Sequence, residues 1–189
     1  MMPTLNMFLQ HLGVALRLAA THPQLEMEDV FAHARAATDA ATPQISAELL
    51  LAMAYVESRF DPHALSHVEG KRRRVGKWPS TTPPKRLRKG TSLYCGPLQT
   101  FAGNWDACLQ QRELAVAYAA GAQEVRTWLR DRRVRGDMTR ALAGYGCGNR
   151  GVKTGKCNRY PGRVLYQAKR IEAAKPITVA SAHERRGAS

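Results

Sequence analysis

The chain has 189 residues, a length that suits one compact domain with short extensions. Hydrophobic residues make up 44% of it, enough for a core and too many for a disordered chain. Its 29 Lys and Arg against 15 Asp and Glu leave a formal net charge of +14, which favours a polyanionic partner: nucleic acid, or an anionic cell-wall or outer-membrane surface.

Pro3 to Ala20 reads as a helix, with Leu5, Phe8, Leu9, Leu12, Val14 and Leu16 mostly on one broad face. The segment has no basic start, and His11 and Arg17 interrupt its apolar run, so it reads as an amphipathic helix and not as an export signal. No apolar run in the chain reaches the roughly 18 residues of a membrane-spanning helix. His22-Pro23 breaks this first element. Glu26 to Ala37 predicts a second helix, striped by Val30, Phe31 and Ala34, and Thr42-Pro43 ends it.

The third helix carries the most information. Ser46 is a good N-cap, and Glu48 sits in the first turn, where the helix dipole favours a carboxylate. Ile45 and Leu50 stand at the two positions of a hydrophobic staple. Leu50, Met53, Ala54 and Glu57 follow at i, i+3, i+4 and i+7, which puts Glu57 on the apolar stripe at the C-terminal end. Asp61-Pro62 is expected to stop the helix, because a residue before proline avoids the α region.

Val68 to Tyr94 differs in kind. KRRRVGKWPSTTPPKRLRKG holds nine basic residues and three prolines, and reads as a long basic loop or insertion. Such a run is most simply a solvated charged loop. It could also grip anionic wall or lipopolysaccharide, or contact nucleic-acid phosphates; the third is the weaker reading, since only Trp78 and Tyr94 are at hand for base stacking.

Helical patterning returns over Leu98 to Leu109 and over Gln111 to Arg133, where Leu114, Ala117, Tyr118, Gly121, Val125, Trp128 and Leu129 share a face. Trp105 and Trp128 read as core. Asp137 to Ala143 begins another helix, expected to run into a glycine-rich turn at Gly144 to Gly148. Tyr160 to Ala173 predicts the last helix, and the polar tail after it is expected to be disordered. The fold class is therefore mostly α, with at most a short hairpin in the insertion.

The four cysteines, Cys95, Cys108, Cys147 and Cys157, allow three disulfide connectivities, and sequence does not choose among them. Disulfides are expected only in an oxidising compartment; the alternative is four reduced thiols. The spacing is not that of a zinc site. His63 and His67 stand four apart, but Pro62 argues against a helix there, so no metal ligand set is assigned and no cofactor is needed.

Placing a carboxyl on an apolar helix face disfavours its charged form. That suits a general acid for glycosidic cleavage, which must hold a proton near neutral pH. A glutamate at a helix end can equally reach into water or pair with a neighbour such as Arg59. The surrounding residues favour the first reading. Glu57-Ser58-Arg59-Phe60-Asp61-Pro62-His63-Ala64-Leu65-Ser66 resembles the E-S-x-F-x-P-x-A-x-S signature of the soluble lytic transglycosylases, members of the lysozyme-like superfamily. Gly96-Pro97-Leu98-Gln99-Thr100 resembles that family's G-L-M-Q segment, and Ala141 to Gly148 its A-x-A-Y-N-x-G segment. Tyr160 and Val164 match the start of its closing helix. The motifs occur in the family's order and span Ile45 to Ile171.

The resemblance implies a lysozyme-like helical domain over 43–174, with the basic insertion at 68–94, two accessory helices within 1–42 and a tail at 175–189. It implies cleavage of the β-1,4 bond between N-acetylmuramic acid and N-acetylglucosamine in peptidoglycan. Glu57 would be the catalytic acid and then base. Ser58 would orient it, and Gln99, Tyr145, Gly96, Leu98 and Gly146 would shape the substrate site. The chain departs from the pattern in three places. The stretch between Ser66 and Gly96 is much longer than usual, Pro97-Leu98 replaces Leu-Met, and Gly146 stands where the family has asparagine.

Lytic transglycosylases use one glutamate. It protonates the glycosidic oxygen, then takes the proton of the sugar's own 6-hydroxyl as that oxygen attacks, leaving a 1,6-anhydro product. Ordinary glycosidases use two carboxylates. Asp61 is the carboxylate nearest Glu57 in sequence and is expected to cap the following turn; Glu69 and Asp106 are the other candidates to approach the cleft. A goose-type hydrolytic lysozyme is therefore the first alternative. A non-enzymatic lysozyme-like module gripping nucleic acid or protein through the basic insertion is the second. An enzyme of this kind acts in the periplasm or cell wall. Without an export signal, delivery by a bacteriophage virion or a secretion machine is the expected route, with proteins of that particle as partners.

Overall fold

A computed structural model describes residues 5–69, 72–77, 91–155, 157 and 159–175. Among them the chain forms α1 (Leu5–Thr21), α2 (Met27–Ala40), α3 (Ala47–Ser58), β1 (Ala64–Glu69), β2 (Arg72–Lys77), β3 (Ser92–Cys95), β4 (Thr100–Ala102), α4 (Trp105–Gln110), α5 (Leu114–Arg130), α6 (Met138–Thr154) and α7 (Tyr160–Ala173). The architecture is mostly helical, with one small antiparallel sheet of order β2-β1-β3-β4. None of the described helices is long and apolar enough to cross a membrane. The tail from Pro176 onward lies outside the described residues.

α3 is the centre of the core. The Ser46 side chain accepts from the Leu49 amide at 3.1 Å and starts the helix as an N-cap should. Ile45 and Leu50, the two staple residues, are both fully buried. Leu49 through Ala54 are all buried, so α3 shows no wet stripe over that stretch of nearly two turns and is enclosed there on every side. Around it pack Leu18 from α1, Val30 from α2, Tyr118 and Val125 from α5, Leu142 from α6, and Val164 and Ile171 from α7. The first two helices thus contribute to the same core as the rest. Arg17 of α1 reaches the Glu48 carboxylate in the first turn of α3, adding an ion pair to that apolar contact.

α3 ends earlier than Asp61-Pro62 predicts. Arg59 and Phe60 both take left-handed backbone angles, φ 62° and 66°, and their amides close back onto Tyr55 and Ala54. Non-glycine residues pay for that conformation, and tertiary contacts offset it here. Phe60 is buried against the rings of His22, His33 and Tyr55, and the Arg59 guanidinium stacks over Tyr55 at 4.1 Å.

The two histidines of that cluster make the fold sensitive to acid. Both rings are almost fully buried, and His33 shares a 2.9 Å hydrogen bond with the Tyr118 hydroxyl. Burial pushes each down to about 4; Arg170 and Arg59 add to this at His22, while Asp29 and the Phe60 backbone oppose it at His33. The native state holds both rings neutral, whereas an unfolded chain protonates them near 6.5. Their contribution is therefore complete above pH ~6.5 and is lost as pH falls towards 4, by about 2–3 kcal/mol per ring. Urea unfolding at pH 7 and pH 4.5 measures this. His33→Gln should remove about half of the pH dependence; equal stability at the two pH values would mean the rings are solvated.

Of the segment from Val68 to Tyr94, read as a basic loop or insertion with room for a short hairpin, residues 70–71 and 78–90 lie outside the described residues, and the described part is mostly sheet. β1 and β2 form a hairpin with Glu69 opposite Arg72 and Val68 opposite Arg73, and β3 joins the other edge of β1. The basic residues of β2 hide the period-2 apolar alternation by which a strand is normally read, and the backbone ladder forms regardless. The Leu98 to Leu109 segment is likewise not one helix. Thr100–Ala102 is β4, paired with β3, and only Trp105–Gln110 is helical, capped by Asn104 accepting from the Ala107 amide. Leu65, Leu93, Cys95, Ala102 and Cys108 form a second small core beneath the sheet, with Trp105 against it.

Disulfides join Cys95 to Cys108 and Cys147 to Cys157. The first ties the end of β3 to α4, and the second ties α6 to the chain just before α7. Both close short loops, so each constrains its neighbourhood more than the whole chain.

Candidate active site

A cleft of about 390 Å³ lies between the end of α3, the sheet, α5 and the middle of α6. Glu57 reaches it from α3. Gln99 and Phe101 reach it from the turn and strand after Gly96, Tyr94 from β3, Glu124 and Trp128 from α5, and Tyr145 with Gly146 from α6.

The turn that carries Gln99 is held on both sides. The Ser58 hydroxyl donates to the Pro97 carbonyl at 2.8 Å and accepts from the Asp61 amide at 3.1 Å. Across the cleft, the Tyr145 hydroxyl donates to the Leu98 carbonyl at 2.6 Å. Gly96 takes φ +73°, and a side chain there would collide with the Gln111 carbonyl at 2.1 Å. Gln99 itself has φ 52°, and its amide nitrogen donates to the Ala64 and Gly96 carbonyls. Leu98 is fully buried against Gly121, where a side chain would meet it at 2.3 Å.

Of the residues expected at the substrate, Glu57, Gln99, Tyr145 and Gly146 thus meet in one cleft. Ser58, Gly96 and Leu98 do not line it; they build the turn that presents Gln99. Asp61 caps its own turn as expected, accepting from the His63 amide at 2.9 Å. Asp106 lies in the first turn of α4 and is not among the lining residues.

The glycine segment is not a turn. Gly144 and Gly146 are helical, and α6 runs on to Thr154 with a kink at Gly148, φ 58° and ψ −148°, a conformation open to glycine almost alone. Gly144 lets the Trp128 ring lie on α6, since a Cβ there would stand 2.6 Å from it. Gly146 leaves room for Cys157 and Tyr160 at 2.9 and 3.0 Å. Trp128, expected in the core, is only partly covered and forms cleft wall.

Glu124 is the residue that sequence reasoning missed. Burial pushes its carboxyl up to about 7; a hydrogen bond from Trp128 opposes this, and the Glu57 carboxylate adds to it. The signal was present: Gly121, Glu124, Val125 and Trp128 stand at i, i+3, i+4 and i+7 on the buried face of α5, just as Glu57 stands on α3. Tyr145 and Tyr160 stack with ring centroids 6.3 Å apart and planes at 7°. Burial raises both hydroxyls, and the two carboxylates raise them further. Tyr160 faces Glu57 across the cleft. At the outer edge Phe101 is 56% exposed and meets Tyr94 edge-to-face at 6.0 Å, an apolar rim of the kind a sugar face can cover.

The arrangement offers proton exchange between carboxyls in a half-enclosed cleft, with an amide and aromatic faces for polar and flat substrate groups. The chain matches no protein-family model, no curated protein and no solved structure.

Proposed function

We propose that this protein is a peptidoglycan-cleaving enzyme with a lysozyme-like fold, a lytic transglycosylase that cuts the β-1,4 bond between N-acetylmuramic acid and N-acetylglucosamine. The observation that carries this reading is the convergence of Glu57, Gln99 and Tyr145 on one cleft, from three separated segments that each resemble a motif of that family. Glu57 gives its proton to the glycosidic oxygen as the C1–O bond breaks. The sugar's 6-hydroxyl then attacks C1 and returns its proton to Glu57, so no water is consumed. The net charge of +14 suits anionic wall glycans and lipopolysaccharide, and the two disulfides suit an oxidising destination such as the periplasm. Delivery by a virion or secretion machine fits that destination.

Glu124 favours one second reading. Two carboxyls in one cleft are what a hydrolytic lysozyme of the goose type uses to activate water. Mass spectrometry of the muropeptides released from purified peptidoglycan separates the two. Anhydromuramyl ends are expected. Ends carrying one added water would replace the lyase with the hydrolase. No released product at all would remove the enzyme reading and leave a binding module, for which charge reversal between Lys71 and Lys89 becomes the informative experiment.

A further inference from the structure

We infer that the open face of the sheet is a docking subsite for peptide-bearing glycan: Tyr94 and Phe101 seat the flat face of a sugar ring, and the basic strand β2 beside them meets the carboxylates of the peptide stem. The inference rests on the glycan-cleaving reading above and narrows its substrate from glycan strands in general to strands that still carry their peptides.

The sheet has two unlike faces. One is sealed, with Leu65, Leu93, Cys95 and Ala102 in the small core around Cys108. The pairing puts the alternate residues on the other face. Ser66 stands opposite Tyr94 and Tyr94 opposite Phe101, so one register row crosses from β1 to β4 over about 10 Å. Val68 takes the next position of that face along β1. Val68, Tyr94 and Phe101 all line the cleft that Glu57 reaches. The rings of Tyr94 and Phe101 meet edge-to-face with centroids 6.0 Å apart, and Phe101 remains 56% exposed. A ring left more than half in water contributes little to folding, and it gains apolar contact when a flat partner covers it. One face of a pyranose ring, with its C–H groups, is such a partner.

Charge lies on the same side. β2 runs along the outer edge of β1, and the register sets Arg73 opposite Val68 and Lys77 opposite Ala64, the positions of the cleft face; Arg72, Arg74 and Gly76 take the alternate positions. Arg73 is thus one strand spacing, about 5 Å, from a residue of the cleft wall. The N-acetylated sugars of intact peptidoglycan are neutral, and the free carboxylates belong to the peptide stems. A basic strand beside an aromatic platform therefore favours a sugar that carries its peptide. β2 and β3 lie within the stretch between Ser66 and Gly96 by which this chain exceeds the pattern it resembles, so the subsite is particular to this chain.

The test is cleavage of soluble glycan strands at about 0.15 M salt, where surface charges act over roughly 8 Å. The strands are used with their peptides intact and after an amidase has stripped them to the short lactyl carboxylate. Phe101→Ala should raise KM about tenfold on both substrates with kcat within about threefold, and Phe101→Trp should restore it. Arg73→Glu should raise KM about five- to tenfold on peptide-bearing strands and about twofold or less on stripped ones. Arg74→Glu makes the same change of charge at a neighbouring position of the other face and should shift KM by no more than about twofold on either. Calorimetric binding of uncleaved strands to proteins that also carry Glu57→Gln should give the same ranking without turnover. An active wild type whose Phe101→Ala variant keeps its KM within about twofold overturns the subsite and leaves the proposed function standing. Equal losses for Arg73→Glu and Arg74→Glu on both substrates overturn the peptide-stem selection. An inactive wild type overturns the proposed function, and binding that is also indifferent to Phe101 overturns the subsite with it.

Discussion

Glu57→Gln is expected, on the function proposed above, to lower glycan cleavage by about 10³-fold or more while the protein stays folded, because it removes the proposed proton donor and changes nothing in packing. The side chain stands at the open end of α3, beyond the enclosed turns that end at Ala54, so the isosteric amide leaves the core untouched. Thermal unfolding of the variant should match wild type closely. The loss should appear in kcat, since a group that works only as the bond breaks contributes little to ground-state binding. If the variant released muropeptides at a near wild-type rate, the acid would have to be sought elsewhere in the cleft, with Glu124 first.

Gly151→Ala is expected to cost about 3 kcal/mol of stability or more, the upper range for a side chain forced into filled space. After the kink at Gly148, the second half of α6 lies against the first. A Cβ on Gly151 would stand 1.8 Å from the Ala143 carbonyl oxygen and 2.6 Å from its carbon. Both are backbone atoms of a buried segment and cannot turn aside as a flexible side chain can. The strain would spread to Gly146 and Gly148, so cleavage should fall with stability. Gly162→Ala in α7 is the control: a Cβ there meets nothing within 4 Å, and the change should be neutral or stabilising by about 0.5–1 kcal/mol. Urea unfolding of both variants decides it. A Gly151→Ala protein within about 1 kcal/mol of wild type would mean that α6 does not fold back this tightly.

Much of the helical framework was legible in the residues. Ser46, Ile45 and Leu50 mark the start of α3 through contacts made within a single turn, and such contacts survive in any tertiary context. The apolar face of α5 was likewise readable from Ala117, Tyr118, Gly121 and Val125. The sheet was harder to read. Its outer strand is basic, and its pairing depends on partners as far away as β1 and β3. Disulfide pairing had three equal solutions on paper. The structure has one, since only Cys95 with Cys108 and Cys147 with Cys157 come within bonding reach, at Cα separations of 5.4 and 5.6 Å.

The same division runs through the site. Sequence alone singled out Glu57, which lines the cleft, because its position on an apolar helix and its neighbours up to Ser66 are local facts. It also carried Gln99 and Tyr145, as parts of motifs a few residues long. Only the tertiary structure brought in Glu124 and turned Trp128 from core into wall. Burial and Coulomb coupling depend on distance in space, and Glu124 meets Glu57 through the packing of α5 beside α3 and α6, which no local pattern encodes.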